Sequence, residues 1–177
     1  GRVGAKASPS SPLYHSAPTS PSVTITGRPV RAESVFAISP YSSGAGAPAM
    51  AELYDQTREF LDGVPDDELG VNAFQHRIAF NCIPHIDVFL DDGSTKEEWK
   101  MVAETKKIMH DEQLAVSATC VRVPVLRCHG ESINVEFEGD VSVEAARAAL
   151  EQAPGVCVMD DPASCEYPMP GLLANTF

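Results

Sequence analysis

The fold is decided by the stretch Ala115-Val116-Ser117-Ala118-Thr119-Cys120-Val121-Arg122-Val123-Pro124-Val125. Its valines alternate with smaller or polar residues, which predicts a long β-strand over 115–125. A helix with the capping box of Thr95 and Glu98 precedes this strand. A second alternating segment over 133–137 follows it and predicts a half-buried strand. This mixture of strands and helices indicates an α+β domain with a mixed or antiparallel sheet.

Further elements are predicted on both sides of this stretch. A helix starts at Pro48 and has one face formed by Met50, Leu53, Thr57, Phe60 and Leu61. The apolar face of the helix after Thr95 comprises Met101, Val102, Thr105, Ile108 and Met109. The remaining predicted elements are short strands at 35–38, 78–83 and 156–159, a small-residue turn at 42–47, and a helix from Ser142 to Leu150.

Residues 1–32 differ in composition from the rest of the chain. They are rich in Ser and Pro and contain four basic residues and no acidic one. Such a segment buries too little apolar surface to offset its ordering entropy, so it is predicted to be an extended or disordered arm, with the folded domain over 33–177. An acid-free, Ser-rich start also resembles the end of an organellar transit peptide, and a plain flexible terminus explains it equally well.

The composition excludes several classes of protein. The 177 residues are 44% apolar and 21% charged, which is typical of a globular domain. After Ala32, nine basic residues face 25 acidic ones, so this part should repel nucleic acid. A membrane-spanning run of roughly 18 to 20 apolar residues is absent from the sequence, although peripheral docking to a membrane complex remains compatible with it.

The cysteines give no sign of a disulfide framework or a metal site. The sequence has five of them, an odd number, without a C-x-x-C pair or finger-like Cys/His spacing. A structural zinc site and a disulfide scaffold are therefore not expected. We expect the protein to reside in a reducing compartment.

Arg122 and His129 are the first candidates for a binding or catalytic site. Arg122 interrupts an apolar run, so its guanidinium is predicted to project from the opposite face of the strand, where its planar fork can hold a carboxylate. His129 follows the predicted strand, at a position suited to proton transfer near neutral pH. On spacing alone, an ion-paired strand arginine and a surface histidine explain the same pattern.

Glu104 and Lys107 form the second candidate pair. They lie three residues apart on the helix after Thr95, so their side chains share one direction and could hold opposite ends of a zwitterionic substrate. A solvated ion pair that stabilises the helix by about 0.2–0.5 kcal/mol is the alternative.

Several long strings in this sequence resemble the bacterial and plastid branch of aspartate-semialdehyde dehydrogenase. They occur in the family's order, and with a looser match at 43–46 they cover most of residues 43–170. The strings are QHRIAFN (75–81), IPHID (83–87), ETKKIM (104–109), ATCVRVPVLR (118–127), His129 with ESINVEF (131–137), APG (153–155) and DDP (160–162).

The resemblance implies a chemistry and a set of roles. In that family a cysteine thiolate attacks the acyl carbon and a nicotinamide cofactor exchanges hydride. Matching positions imply that Arg122 binds the substrate carboxylate, that His129 is the acid/base, that Glu104 binds the substrate amino group, and that Lys107 binds phosphate. The resemblance also implies a dimerisation domain whose helices pack on one face of the sheet.

The chain also departs from that family. It has no G-x-G-x-x-G fingerprint, so no cofactor is expected unless a separate domain supplies an NADP site. The segment before Ser43, where the family's nucleophile should lie, has no cysteine, and Cys128 beside His129 is the alternative thiol. Pro40 stands where the family usually has a glutamine, and the family continues beyond the position of Phe177.

These departures predict a non-catalytic structural or assembly subunit of a larger organellar complex, in a plastid rather than a mitochondrion. The alternative is a fragment or split half of an active NADP-dependent aspartate-semialdehyde dehydrogenase of amino-acid biosynthesis. A third interpretation is a regulatory decoy that pairs with the full enzyme through the shared dimer face. Each interpretation expects a protein partner, either a larger complex or a homologous dimer mate.

Overall fold

The computed structural model describes residues 28–38 and 46–174. In these ranges, no helix is both long enough and apolar enough to cross a membrane. A short 3-10 turn occurs at Pro162–Ser164. In chain order the helices and strands are β1 (Pro29–Ile38), α1 (Gly46–Leu61), α2 (Lys96–Met109), β2 (Ala115–Arg122), β3 (Gly130–Phe137), α3 (Val143–Gln152) and α4 (Pro170–Leu173).

The three strands form a mixed sheet in the order β2-β1-β3. β1 is parallel to β2 and antiparallel to β3. The long chain segment between β1 and β2, which contains α1 and α2, allows the parallel pairing. Helix α2 packs against β2. The predicted α+β class with a mixed sheet is confirmed.

β1 is longer than the predicted strand over 35–38. It begins at Pro29, so the last residues of the predicted arm belong to the sheet. Proline is tolerated at the first position of a strand because its missing N–H costs little there. The rest of the predicted arm, residues 1–27, and positions 42–45 of the turn predicted at 42–47 lie outside the described residues, whereas Gly46 and Ala47 already belong to α1.

The core lies where α1 meets the segment between the two long helices. Leu53 of α1 is buried as predicted, whereas Phe60 and Leu61 are exposed. The buried face of α1 is therefore rotated about the helix axis relative to the predicted face. It includes two polar residues, Glu52 and Gln56. The main cluster consists of Ala49, Leu53, Phe74, Ile78, Ala79 and Ile83.

The predicted strand over 78–83 is wrong. Ile78 and Ala79 both donate their backbone N–H groups to the side-chain oxygen of Gln56, at 2.9 and 3.2 Å. Phe80 then adopts a φ of 55°, which no strand can continue. The only β-type pairing of this described segment is an isolated bridge between Ile83 and Arg122.

Other boundaries also differ from the predictions. β2 ends at Arg122 rather than at residue 125, because Pro124 lacks an N–H group to continue the ladder. β3 forms where predicted but is largely exposed instead of half-buried. The predicted strand over 156–159 does not form. The helix capped by Ser142 is confirmed and extends to Gln152.

Helix α2 begins as its sequence predicts. The Thr95 hydroxyl accepts from the backbone N–H of Glu98, and the Glu98 carboxylate accepts from the backbone N–H of Thr95 at 2.8 Å, which completes the capping box. Met101 packs on the buried residues Ile86 and Cys120, whereas Ile108 at the far end of the predicted apolar face is 73% exposed. The helix therefore packs most closely near its N-terminus.

Candidate functional site

Arg122 is the last residue of β2 and is only 6% exposed. Its backbone N–H donates to the carbonyl of Ile83 at 2.9 Å, and its carbonyl accepts from the N–H of Ile83 at 3.0 Å. Because β2 is an edge strand, this pairing closes hydrogen-bonding positions that the edge would otherwise leave open. The side chain shares a strand face with the fully buried Cys120, opposite Val121.

The guanidinium of Arg122 lies over an aromatic ring. Its Cζ is 5.0 Å from the ring centroid of Phe74, which is itself 8% exposed. Burial lowers the pKa of Arg122, and the negative charge of Glu97 acts in the opposite direction. The ordinary pKa of arginine is so far above neutrality that the group stays cationic. The site therefore contains a buried, oriented positive charge with a planar set of N–H donors.

Helix α2 brings further charged groups to this region. Lys100 Nζ forms an ion pair with Glu97 Oε2 at 3.1 Å. This hydrogen bond raises the pKa of Lys100, with additional contributions from the charges of Glu97 and Glu104. Glu97, Lys100 and Glu104 lie three and four residues apart, so they follow one face of the helix. The acidic group that acts on Arg122 is Glu97.

His129 reaches the same end of the sheet from the other side of β1. β3 begins at Gly130, which pairs with Ala37 of β1. Arg122 pairs with the next residue of that strand, Ile38. Neighbouring strands lie about 4.8 Å apart, so β2 and β3 flank β1 at a mutual separation of about 10 Å. The structure thus brings Arg122 and the exposed His129 to one end of the sheet.

Glu104 and Lys107 are exposed residues of α2. The side chain of Glu98, near the start of α2, is hydrogen-bonded to β2. Glu104 lies six residues and about 9 Å farther along the helix axis, and Lys107 lies about 4.5 Å beyond Glu104. Glu104 and Lys107 therefore lie farther than Glu97 from the N-terminal end of α2, where Glu98 attaches the helix to β2.

The thiols in this region differ in environment. Cys120 is fully buried, and burial, reinforced by the charges of Glu98 and Glu97, raises the pKa of its thiol to about 11. A thiol with this pKa is protonated at neutral pH and a weak nucleophile. Cys128 is half-buried and precedes His129 with a φ of 67°. All five cysteines are free.

Sequence reasoning missed Phe74, Glu97 and Lys100. The spacing of Glu97 and Lys100 repeats that of Glu104 and Lys107, so the helical pattern could have indicated the additional pair. Phe74 gave no such signal, because its contact with Arg122 joins distant parts of the chain. Over the described ranges, no group of three or more His, Cys, Asp or Glu side chains could hold a metal ion.

One protein-family model matches nearly the whole described part of the chain. Residues 29–176 match the family model described as "Semialdehyde dehydrogenase, dimerisation domain". The aspartate-semialdehyde dehydrogenase of Aquifex aeolicus is 55% identical over 128 residues, which cover 72% of this chain and 37% of that protein. The Synechocystis enzyme of the same name is 43% identical over 130 residues, covering 73% of this chain and 37% of that protein.

Solved structures show the same relationship. Aspartate semialdehyde dehydrogenase II of Vibrio cholerae, complexed with ASA, has a TM-score of 0.68 and 42% identity, covering 73% of this chain and 37% of that one. The structure of aspartate semialdehyde dehydrogenase from Francisella tularensis has a TM-score of 0.73 and 25% identity, and the match covers 84% of this chain and 46% of that one. The chain thus spans less than half the length of these relatives. It belongs to the semialdehyde dehydrogenase family, whose dimerisation domain it contains.

Proposed function

We propose that this domain supplies the carboxylate-binding part of an aspartate-semialdehyde dehydrogenase active site. The observation that supports this most is Arg122, a nearly buried arginine whose guanidinium carbon lies 5.0 Å from the Phe74 ring centroid, at the end of the sheet that His129 also reaches. Arg122 would hold the substrate carboxylate with two hydrogen bonds, and His129 would transfer a proton. Glu104 would bind the substrate amino group and Lys107 the phosphate.

The dinucleotide and the nucleophilic thiol would come from another unit, on the same protein or on a second chain. The described sheet has a single parallel pair of strands, unlike a doubly wound dinucleotide-binding sheet. A cavity of about 460 Å³ against α1 is lined by Glu52, Asp55 and Glu59, whose charge would repel a diphosphate. The described residues therefore do not fit NADP by themselves. When bound, that cofactor would supply hydride transfer.

A binding measurement on the full chain tests the role of Arg122. L-2-aminobutyrate has the α-amino and α-carboxylate groups of the expected substrate without its aldehyde, and 2-aminobutyramide lacks the carboxylate charge. In calorimetric titrations, wild-type protein should prefer the carboxylate about tenfold or more, since an arginine–carboxylate hydrogen bond contributes about 1.5–3 kcal/mol. Arg122→Met should abolish this preference, and Arg122→Lys should weaken it because lysine lacks the planar fork.

Circular dichroism must show that each variant is folded. Lys106→Met provides a control, because it removes one positive charge from α2 and leaves Arg122 on β2 in place. If wild-type protein shows no preference for the carboxylate, or if a folded Arg122→Met variant keeps it, the proposed role of Arg122 is wrong.

The face of the sheet opposite α2 is the surface that we propose for pairing with a second dimerisation domain. Glu33, Ser117, Thr119, Ser132 and Asn134 line a shallow cavity of about 320 Å³ on this face. α2 packs against β2 on the opposite face, so among residues 28–38 and 46–174 this helix does not occupy the surface proposed for the partner. In a two-fold symmetric interface each substitution occurs twice. Thr119→Lys should therefore shift a dimer to monomer in native mass spectrometry, whereas Gln113→Lys in a loop should not.

A non-catalytic role as a structural subunit of an organellar complex is the second candidate. The observation that favours it is the absence of cysteine from residues 1–81, together with Pro40 at the usual position of a glutamine. The test is to purify the native assembly and to supply NADP, aspartate semialdehyde and phosphate. Reduction of NADP by the assembly would contradict this candidate, whereas an inactive assembly containing other subunits would support it.

A further inference from the structure

We infer that Phe74 is a positioning residue for the carboxylate-binding arginine. Its ring lies beneath the Arg122 guanidinium, with Cζ 5.0 Å from the ring centroid, and so restricts where the guanidinium can move before a carboxylate binds. This inference rests on the proposed function, since it requires Arg122 to be the group that binds the carboxylate. It adds a residue that itself makes no contact with the substrate.

The two interactions of the guanidinium differ in kind. A cation above an aromatic ring is attracted electrostatically to the face of the ring, and this attraction involves no N–H···O hydrogen bond. Carboxylates bind instead in the plane of the guanidinium, through parallel N–H donors at its edge. The contact with Phe74 therefore restricts Arg122 by an attraction that is distinct from the hydrogen bonds with which Arg122 would hold a carboxylate. An arginine fixed before binding loses less side-chain entropy when the carboxylate arrives.

Phe74 is itself held firmly, because α1 binds the chain on both sides of it. Gln56 is 1% exposed, and its amide N–H group donates to the carbonyl of Gly70 at 2.7 Å. The oxygen of the same side chain accepts from the backbone N–H groups of Ile78 and Ala79. Residues 70 and 78 are thus fixed to one helical side chain, four residues before and four residues after Phe74.

Glu52 strengthens this attachment one turn earlier on α1. Its Oε2 accepts from the backbone N–H groups of Asn72 and Ala73, the two residues immediately before Phe74. Its Oε1 accepts from the Gln56 amide at 3.2 Å. The loop that carries Phe74 therefore has few degrees of freedom left, and the ring forms a rigid support for Arg122.

A second cation above a phenylalanine provides a matched control. Arg77 lies 5.0 Å from the ring centroid of Phe60, at the same distance as in the Arg122 pair. Phe60 is 41% exposed and lies on α1, and its ring is tilted by 44° against that of Phe80, with the centroids 5.1 Å apart. Phe60→Leu therefore removes a cation–ring contact of the same length that involves Arg77 instead of Arg122.

The experiment uses the full chain with L-2-aminobutyrate and 2-aminobutyramide as probes. Phe74→Leu keeps an apolar side chain of similar size but removes the ring, and it should reduce the preference for the carboxylate about fivefold. Phe74→Tyr keeps the ring face and should retain the wild-type preference, as should Phe60→Leu. Circular dichroism and thermal unfolding establish that the variants are folded.

The result separates this inference from the proposed function. If Arg122→Met loses the preference but a folded Phe74→Leu variant keeps it, Phe74 has no positioning role and the function of Arg122 stands. An equal loss of affinity for both probes in Phe74→Leu would show a merely structural role and also overturn the inference. If wild-type protein has no preference, the proposed function fails and this inference fails with it.

Discussion

Glu98 of α2 and Cys120 of β2 are joined by a hydrogen bond of 3.0 Å, from the backbone N–H of Cys120 to Oε1 of Glu98. Oε2 of the same carboxylate accepts from the backbone N–H of Thr95 at 2.8 Å. One side chain therefore closes the capping box and fills an open hydrogen-bonding position on the edge of the sheet, two residues before Arg122. This carboxylate therefore links the start of α2 directly to β2 beside the site.

Glu98→Ala should destabilise the fold by about 2 kcal/mol, because it removes a capping interaction and leaves the N–H of Cys120 without its acceptor. Glu98→Gln keeps one acceptor oxygen and should cost less. Urea unfolding at pH 7 measures both changes, and Glu112→Ala on an exposed loop provides the control. A Glu98→Ala variant as stable as the control would show that the carboxylate does not anchor the helix.

The contribution of Glu98 should depend on pH. Burial acts to raise the pKa of Glu98, but hydrogen bonds from the N–H groups of Thr95 and Cys120 outweigh it and hold the pKa below its ordinary value of 4.5. A carboxyl group whose pKa is lowered by folding stabilises the protein above its unfolded pKa and loses this effect as the pH falls through its folded pKa. The stability difference between wild type and Glu98→Gln should therefore be constant above about pH 5 and shrink below pH 4.5.

Urea midpoints measured from pH 7 to pH 3.5 would reveal this change. A difference between wild type and Glu98→Gln that stays constant down to pH 3.5 would mean that Glu98 does not titrate in the expected direction.

Gln56→Ala should be strongly destabilising. The substitution leaves the N–H groups of Ile78 and Ala79 and the carbonyl of Gly70 without their buried partner, which costs about 3 kcal/mol or more. Thermal and urea unfolding measure the loss. Gln113→Ala, at an exposed position, should change stability by no more than about 0.5 kcal/mol. Equal stability of the two variants would contradict the network described for α1.

The Cys120 thiol should resist alkylation. Burial and the nearby carboxylates raise its pKa to about 11, so at pH 8 the reactive thiolate is a minor species in a buried position. Treatment of folded protein with iodoacetamide, followed by peptide mass spectrometry, should modify the exposed Cys82, Cys157 and Cys165 first. Modification of Cys120 at the same rate as these three, while the protein is still folded, would contradict its placement in the core.

Much of the secondary structure followed from local patterns. The Thr95 and Glu98 capping box and the Ser142 cap predicted the starts of α2 and α3, because both depend on hydrogen bonds within one helical turn. Alternation predicted β2 and β3 for a similarly local reason. The same alternation failed at 78–83, where a side chain from α1 takes the backbone N–H groups that a strand would need.

The candidate site followed partly from the sequence and partly from packing. Arg122 and His129 were found because their positions at and beyond the end of a strand are visible in the sequence. The register of β1 with both neighbouring strands, which brings them to one end of the sheet, was not visible. Strand order in a mixed sheet depends on long-range pairing, and one strand can pair with several others at similar energy.

The sequence by itself determined the family, the α+β class and the helix caps, and it made Arg122 and His129 candidate site residues, because short strings of residues contain these signals. Only the tertiary structure decided that Phe74 lies over Arg122, that Gln56 holds the chain on both sides of Phe74, and that Glu98 joins α2 to β2. The physical reason is distance along the chain. Glu98 and Cys120, like Gln56 and Ile78, are separated by 22 residues, so these contacts exist only after the elements have packed.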